Sequence, residues 1–234
     1  MIIGVLSDAH GNTEAFRLAI SHLRKLGASR FIFLGDAVGY IPSNGVLTEL
    51  IRIKEEVICI QGNHEIMLTN TSWNPEQDKI YNFRNTLKFL SDVETDYIKS
   101  WPIMHKESYG IDSALFIHGG LCDFTNEYVY PNSDLSKYEV TETFVFMGHT
   151  HYPFVRKTGN TTFVNVGSCG LPRDIGNLGS FATFNPEMGE VILYRFDISS
   201  AIQNIRESNM KIHESVLGLF KRQHSLFEGQ LIEE

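Results

Sequence analysis

Met1-Ile2-Ile3-Gly4-Val5-Leu6-Ser7-Asp8-Ala9-His10 runs a short apolar stretch directly into a carboxylate and an imidazole. Ile2 to Leu6 has the length and composition of a buried strand, and a polar cluster stops it. The same grammar recurs four times. Phe31 to Leu34 leads into Gly35-Asp36, Val57 to Ile60 into Gly62-Asn63-His64-Glu65, Leu115 to Ile117 into His118-Gly119, and Phe144 to Met147 into Gly148-His149-Thr150-His151. In open sheets with helical crossovers, ligands gather beyond the carboxyl ends of the strands, so segments far apart in sequence meet at one edge. The candidate metal ligands of all five blocks lie there.

Helical signals fall between the first strands. Asn12 or Thr13 is placed to cap a helix carrying Phe16, Ala19, Ile20, Leu23 and Leu26 on one face, with Gly27 to end it. Val46, Leu47, Leu50 and Ile51 recur at helical spacing after Pro42-Ser43-Asn44. This β-α-β-α-β order predicts a parallel half-sheet. Residues 66 to 105 or so are polar, rich in Asn, Asp and Lys, and punctuated by Pro75 and Pro102, which predicts a small helical cap. Beyond His118 the pattern turns to short strands: Thr143 to Met147, Phe154 to Lys157, Thr161 to Val166, Phe181 to Phe184 and Glu190 to Phe196. Tight turns at Gly159-Asn160 and Glu187-Met188-Gly189 predict an antiparallel second sheet. From Ser199 helical spacing returns, with Ile212, Val216, Leu219 and Phe220 on one stripe that must be covered by the domain or by a partner. The expected organisation is a domain over 1–198 with its cap at about 66–105, and a helical extension over 199–234 packed on it. A homodimer contact through that extension is a further expectation.

Composition sets outer limits. At 234 residues and 42% hydrophobic content the chain can build one large domain. A net charge of -8 argues against a basic face for a nucleic-acid polymer or an anionic membrane, so affinity for phosphate must come from bound metals. No basic region or cleavage site precedes the first strand, and no apolar run approaches the roughly 20 residues of a membrane helix. Cys59, Cys122 and Cys169 are odd in number and widely spaced, which fits a reducing cytoplasm.

The candidate ligands of the five blocks, Asp8, His10, Asp36, Asn63, His118, His149 and His151, supply four imidazoles, two carboxylates and one carboxamide, enough donors for two cations. Two cations held close together need a shared anion to offset their repulsion, and Asp36 beside Gly35 suits that bridge. Asp8 and His10 form a chelating pair, and His149 and His151 repeat the spacing. Asn63 offers a neutral carbonyl oxygen that leaves a metal Lewis acidic. This mixed nitrogen and oxygen set suits manganese, iron, zinc or nickel better than calcium, with manganese placed first. Taken singly, each block also reads as a helix cap, a turn or a core histidine. Their joint occurrence is what points to metal. His22, His105, His213 and His224 lack such context and read as surface or structural.

In order, these blocks are D-x-H, G-D, G-N-H-E, H-G and G-H-x-H, and over residues 1 to about 197 the chain resembles the calcineurin-like metallophosphoesterase superfamily. Gly39-Tyr40-Ile41-Pro42, Asn165-Val166-Gly167-Ser168 and Gly170-Leu171-Pro172-Arg173 are similar to its bacterial and archaeal branch of small phosphodiesterases, which includes relatives of diadenosine tetraphosphatases. Val166 and Leu171 depart from that branch, which often has Pro and Gln there. The resemblance implies a four-layer α/β/β/α sandwich of two mixed sheets flanked by helices. It implies one metal held by Asp8, His10 and His151, another by Asn63, His118 and His149, Asp36 between them, and His64 off the metals facing substrate.

The expected activity is hydrolysis of a phosphoric ester, either a small phosphodiester or a nucleoside polyphosphate. Two cations roughly 3.5 to 4 Å apart share a water, lower its pKa and present hydroxide in line with phosphorus. Asn63 would help to orient the phosphoryl group, and His64 would protonate the leaving group. Arg173 is a candidate phosphate clamp or a loop-fixing ion-pair partner, and Tyr40 a candidate base-stacking or cap residue. The alternatives are a phosphomonoesterase or phosphoprotein phosphatase, and a non-catalytic scaffold of the same fold.

Overall fold

The computed structural model describes residues 1–224 and 228–232. Its first sheet grows from the expected crossovers. Strand β1 (Ile2–Leu6) leads through α1 (Thr13–Lys25) to β2 (Ala28–Phe33), and through α2 (Gly45–Arg52) to β3 (Val57–Cys59). β1 pairs parallel with β2, and β2 with β3. Asn12 rather than Thr13 caps α1, its side chain accepting the Ala15 N–H at 3.2 Å. The buried face of α1 is Ala15, Phe16, Ala19, Ile20 and Leu23, a three-and-four spacing that lays the helix along the sheet.

Four short helices follow: α3 (Asn63–Asn70), α4 (Pro75–Tyr81), α5 (Phe83–Thr86) and α6 (Asp92–Ser100). Asn74 and Ser91 close capping boxes with Gln77 and Glu94, so α4 and α6 start where their sequences dictate. The helical reading of this region runs too far at its end. Met104–Tyr109 is a strand, β4, the antiparallel edge partner of β5 (Asp112–Ile117).

The remaining strands are β6 (Phe144–Met147), β7 (Phe154–Thr158), β8 (Thr161–Asn165), β9 (Leu178–Asn185) and β10 (Glu190–Asp197). Both expected tight turns form hairpins, β7 with β8 and β9 with β10. The second sheet is mixed, as the resemblance implies, rather than the antiparallel one that the turns suggest. Its strand order is β4-β5-β6-β8-β7, with β5, β6 and β8 parallel, while β9 and β10 join the first sheet beside β1. Turn chemistry fixes which strands make a hairpin but not which sheet receives it.

Two mixed sheets therefore face each other. Ile3, Val5 and Ile32 of the first sheet pack against Phe116, Phe146 and Val164 of the second. Helices cover the outer face of the first sheet. The outer face of the second is covered by turns and extended chain between β5 and β6, with Val129 and Leu135 buried against Leu115, Val145 and Phe163.

After β10 come α7 (Ser199–Glu207), which buries Ala201, Ile202 and Ile205, and α8 (Glu214–Leu219), which buries Val216. Gln230–Leu231 form β11, parallel to β10, at positions read from sequence as helical. Residues 225–227 and 233–234 of the expected helical extension lie outside the described residues. No helix among the described residues is long and apolar enough to cross a membrane.

Candidate metal centre

β1, β2 and β3 run parallel, as do β5, β6 and β8, so the loops leaving all six open at one edge of the facing sheets. Backbone hydrogen bonds lock these loops together. Asp8 N–H donates to Gly35 at 3.0 Å, His10 N–H to Asp36 at 2.9 Å, and Gly148 N–H to His118 at 2.9 Å. Gly148 has to be glycine, because a Cβ there would run into Ser7 Oγ and Asp8 Oδ2. Gly35 similarly lies against the backbone of Gly62, with φ at +94°.

Asp8, His10, Asp36, Tyr40, His149 and His151 all adopt left-handed φ values between 48° and 64°. Such conformations cost roughly 1–3 kcal/mol each for a residue with a side chain, and they persist where surrounding structure over-determines them. Here they fall on five of the seven expected ligands and on Tyr40.

All seven expected ligands come together. Asp8, His10 and His151 form one group and Asp36, His118 and His149 another, each with donor atoms within 4.8 Å of one another. Asn63 Oδ1 is 3.2 Å from His118 Nε2. Asp36 Oδ2 lies between the two groups, 3.6 Å from His10 Nε2 and 3.4 Å from His118 Nε2. His64, expected to stay off the metals, forms a third group with His10 and Asp36, but its Nε2 stands farther from Asp36 Oδ2, at 4.0 Å. His22, His105, His213 and His224 belong to none of these groups.

The histidine tautomers follow from the carbonyls around them. His10 Nδ1 donates to Val38 O at 3.1 Å, His118 Nδ1 to Leu34 O at 2.7 Å, and His151 Nδ1 to Leu171 O. In the neutral form of each ring, Nε2 is then a lone pair aimed inward. His10 Nε2 and His151 Nε2 then face each other at 3.1 Å, and His118 Nε2 faces His149 Nδ1 at 3.2 Å. Among the described residues, buried Asp8 Oδ1 has no hydrogen-bond partner. Lone pairs in such proximity need a proton or a cation between them, so the residues fit a metal pair.

Electrostatics agree in sign. Burial pushes the Asp36 carboxyl up, but the imidazoles, His118 first, override it and hold it far below the usual carboxylate range. His118 is depressed by burial, yet Asp36 lifts it to about 9. Burial, then the neighbouring His118 charge, lowers His149 to about 4; burial, then Arg173, does the same for His151.

Four features escaped the sequence reading. Glu65 is fully buried and accepts the backbone N–H groups of Asp36 and Ala37 at 2.7 and 2.8 Å. Tyr81 and Phe83 from the helical region enclose the His64 ring at 4.9 and 5.3 Å. Asn165 donates to Gly148 O at 2.7 Å and Thr150 Oγ1 at 3.0 Å, ordering the His149 loop. Tyr128, from the chain covering the second sheet, lies 4.1 Å from His149 by ring centroids. Glu65 had a local signal, its position three residues into a helix that opens at Gly62.

Tyr40 and Arg173 reach the same place. Tyr40 contacts His10 and His64 at 4.7 and 4.8 Å, and its hydroxyl accepts from Arg173 Nη2 at 3.0 Å. The carboxylate that fixes the loop is the neighbouring Asp174, paired with Arg195 at 2.6 and 2.9 Å.

A fold of two facing mixed sheets with a cluster of buried Asp and His residues and a half-buried Asn at the strand ends defines a class, and comparison with known proteins agrees. Residues 1–188 match the calcineurin-like phosphoesterase superfamily domain, and the chain belongs to that superfamily. It is 26% identical over 231 residues to an uncharacterized protein of Methanocaldococcus jannaschii, covering 89% of this chain and 93% of that one. Its fold is similar to that of a hypothetical protein from Pyrococcus horikoshii, with a TM-score of 0.80 at 19% identity, covering 94% of this chain and 98% of that one. It is also similar to a metallophosphoesterase from Sphaerobacter thermophilus, with a TM-score of 0.73 at 22% identity over the same shares, 94% and 98%.

Proposed function

We propose that this chain is a metal-dependent phosphoric ester hydrolase acting on a small phosphodiester or a nucleoside polyphosphate. The observation that carries the reading is the pair of close imidazole nitrogen contacts, His10 with His151 and His118 with His149, set on either side of Asp36. Asp8, His10 and His151 would hold one cation, Asn63, His118 and His149 the other, and Asp36 both. Manganese is placed first, with iron, zinc or nickel also suited to this donor set. When bound, such a pair supplies Lewis acidity that lowers the pKa of a water and offsets phosphoryl charge.

The remaining chemistry falls to the chain. His64 sits between His10, Tyr40, Tyr81 and Phe83 and serves as the proton donor to the leaving oxygen. Burial holds its pKa well below the ordinary histidine value, with Asp36 pulling the other way. A phosphoryl anion beside the ring supplies the further negative charge that stabilises its protonated form. Arg173, whose Nε has no partner among the described residues, is the phosphate clamp, steadied by Tyr40.

The test is hydrolysis of bis-p-nitrophenyl phosphate with added manganese, paired with Asp36→Asn. The expected result is manganese-dependent turnover, with occupancy of both metals and activity lost in the variant. Two metals per chain and normal turnover in Asp36→Asn would overturn the bridging role. No turnover with any of the four metals would overturn the reading.

A further inference from the structure

Tyr128, Tyr130 and Tyr152 form a row leading away from the cluster. The Tyr128 ring lies 4.1 Å from His149, Tyr130 is stacked 5.9 Å from Tyr128 at an interplanar angle of 10°, and Tyr152 meets Tyr130 edge-on at 5.8 Å. Tyr128 and Tyr130 are 52% and 39% exposed, so the fold does not use these rings as core.

The chain beneath them is nevertheless held firmly. Val129, between the two rings, is 1% exposed and packs into the core on the outer face of the second sheet, so its neighbours must point outward. Tyr130 N–H donates to Ser133 Oγ at 2.9 Å, and Arg156 Nη1 donates to the carbonyls of Pro131 and Ser133 at 2.8 and 2.7 Å. The Glu127 carboxylate accepts from Cys122 N–H and Tyr138 Oη, both at 2.7 Å, and from Lys137 at 2.8 Å. Exposed aromatic rings on an immobilised backbone form a pre-organised contact surface, since binding orders little that is not already ordered.

We propose that Tyr128, Tyr130 and Tyr152 are a stacking platform for a nucleobase carried by the phosphoester whose phosphorus sits at the Asp36 cluster. The proposal rests on the hydrolase reading and narrows its substrates to nucleotides. The platform begins at the rim of the cluster, beside His149, and continues outward, the direction in which a phosphate-anchored nucleoside must extend. A net charge of -8 works against binding a polyanion, so a small ligand held by its phosphate at one end and its base at the other suits this site. Stacking makes the platform tolerant of base identity, because every base has a π-face.

Calorimetric binding of AMP and of ribose 5-phosphate to the manganese-loaded protein tests the platform, because the two ligands differ by the base alone. AMP is expected to bind roughly 5- to 100-fold more tightly, the usual worth of base stacking on aromatic side chains. Tyr130→Ala and Tyr130→Leu, the latter keeping apolar volume without the plane, are expected to bring that ratio toward one, and Tyr130→Phe to keep it. Equal affinity of the wild-type protein for the two ligands, or a ratio unmoved in both the Ala and Leu variants, would overturn the platform. Turnover of bis-p-nitrophenyl phosphate by the same preparation reports on the hydrolase reading separately. Turnover without AMP preference sinks the platform alone, and AMP preference without turnover supports the platform and sinks only the hydrolase reading.

Discussion

One oxygen of the Glu65 carboxylate accepts the Asp36 backbone N–H at 2.7 Å and the Gly62 N–H at 2.9 Å, and its other oxygen takes Ala37 and Val38 at 2.8 and 3.3 Å. One buried side chain thus satisfies the loop after β2 and the start of α3 together. Burial, then the nearby Asp36 charge, pushes the Glu65 carboxyl up to about 7. The geometry of Asp36, held at a φ of 60°, depends on this tether.

Glu65→Gln keeps the shape but replaces one acceptor oxygen with an amide that can only donate. At least one pair of backbone N–H groups then loses its partner, at about 1–3 kcal/mol for each buried donor. The expected outcome is a melting temperature lower by roughly 5–10 °C, with weaker metal binding. Thermal denaturation with and without manganese checks it, and an unchanged melting curve would show that the loop holds itself.

Arg195 is fully buried and makes a two-pronged pair with Asp174, the residue next in sequence to Arg173. Asp174→Ala breaks this buried pair by removing one partner, which costs about 3–5 kcal/mol. Replacing both residues with apolar ones of similar volume should recover much of that loss. Chemical denaturation of the single and double variants measures the difference. A double variant as unstable as the single would place the cost in lost packing around the pair.

The strand-end blocks were legible because their information is local: an apolar run, a glycine and a ligand within five residues of one another. The start of α1, likewise, was marked locally by Asn12 or Thr13, and only the structure shows Asn12 to be the cap. Arg195 was not legible, because a charge inside a strand reads as solvent-facing until its tertiary partner is known, and the position of Glu65 in a first helical turn announced a cap but not its bonds to the Asp36 loop. Tyr128 and Tyr130 fall in a stretch with neither helical nor strand period, where only the burial of Val129 fixes which side chains point outward. The placement of β9 beside β1 rather than in the second sheet is likewise a pairing choice. Its turn with β10 carries no information about it.

Acid should destabilise the metal-free protein before Asp8 and Asp36, both held low, titrate. His149 and His151 fold with pKa values of about 4, and His64 is also held low, so all three are neutral in the folded chain where an unfolded histidine would be charged. A depressed histidine contributes stability above its unfolded pKa of about 6.5 that is lost as pH falls toward the folded value. Glu65, raised to about 7, works the other way over much of that window. Three groups against one leave a net loss between about pH 6.5 and 4, which melting temperatures with a chelator present would show. Manganese should flatten the upper part of the curve by excluding protons from the same nitrogens. A metal-free melting temperature flat across that window would mean that the imidazoles exchange their charges among themselves without net proton uptake.

His64→Ala separates proton transfer from metal binding. If His64 only protonates the leaving group, both metals should remain bound while the rate on an alkyl or nucleoside leaving group falls about 10²- to 10⁴-fold. A p-nitrophenolate leaving group needs little protonation, so the loss on that substrate should be clearly smaller. The pH profile with the poorer leaving group should also lose its basic limb, because the descending side reports the acid's deprotonation. The position of the ring supports this division: its Nε2 stands 4.0 Å from Asp36 Oδ2, farther than those of His10 and His118. Equal losses on both substrates with both metals retained would assign His64 to holding the phosphate. Loss of a metal would make it a ligand, in the group it forms with His10 and Asp36.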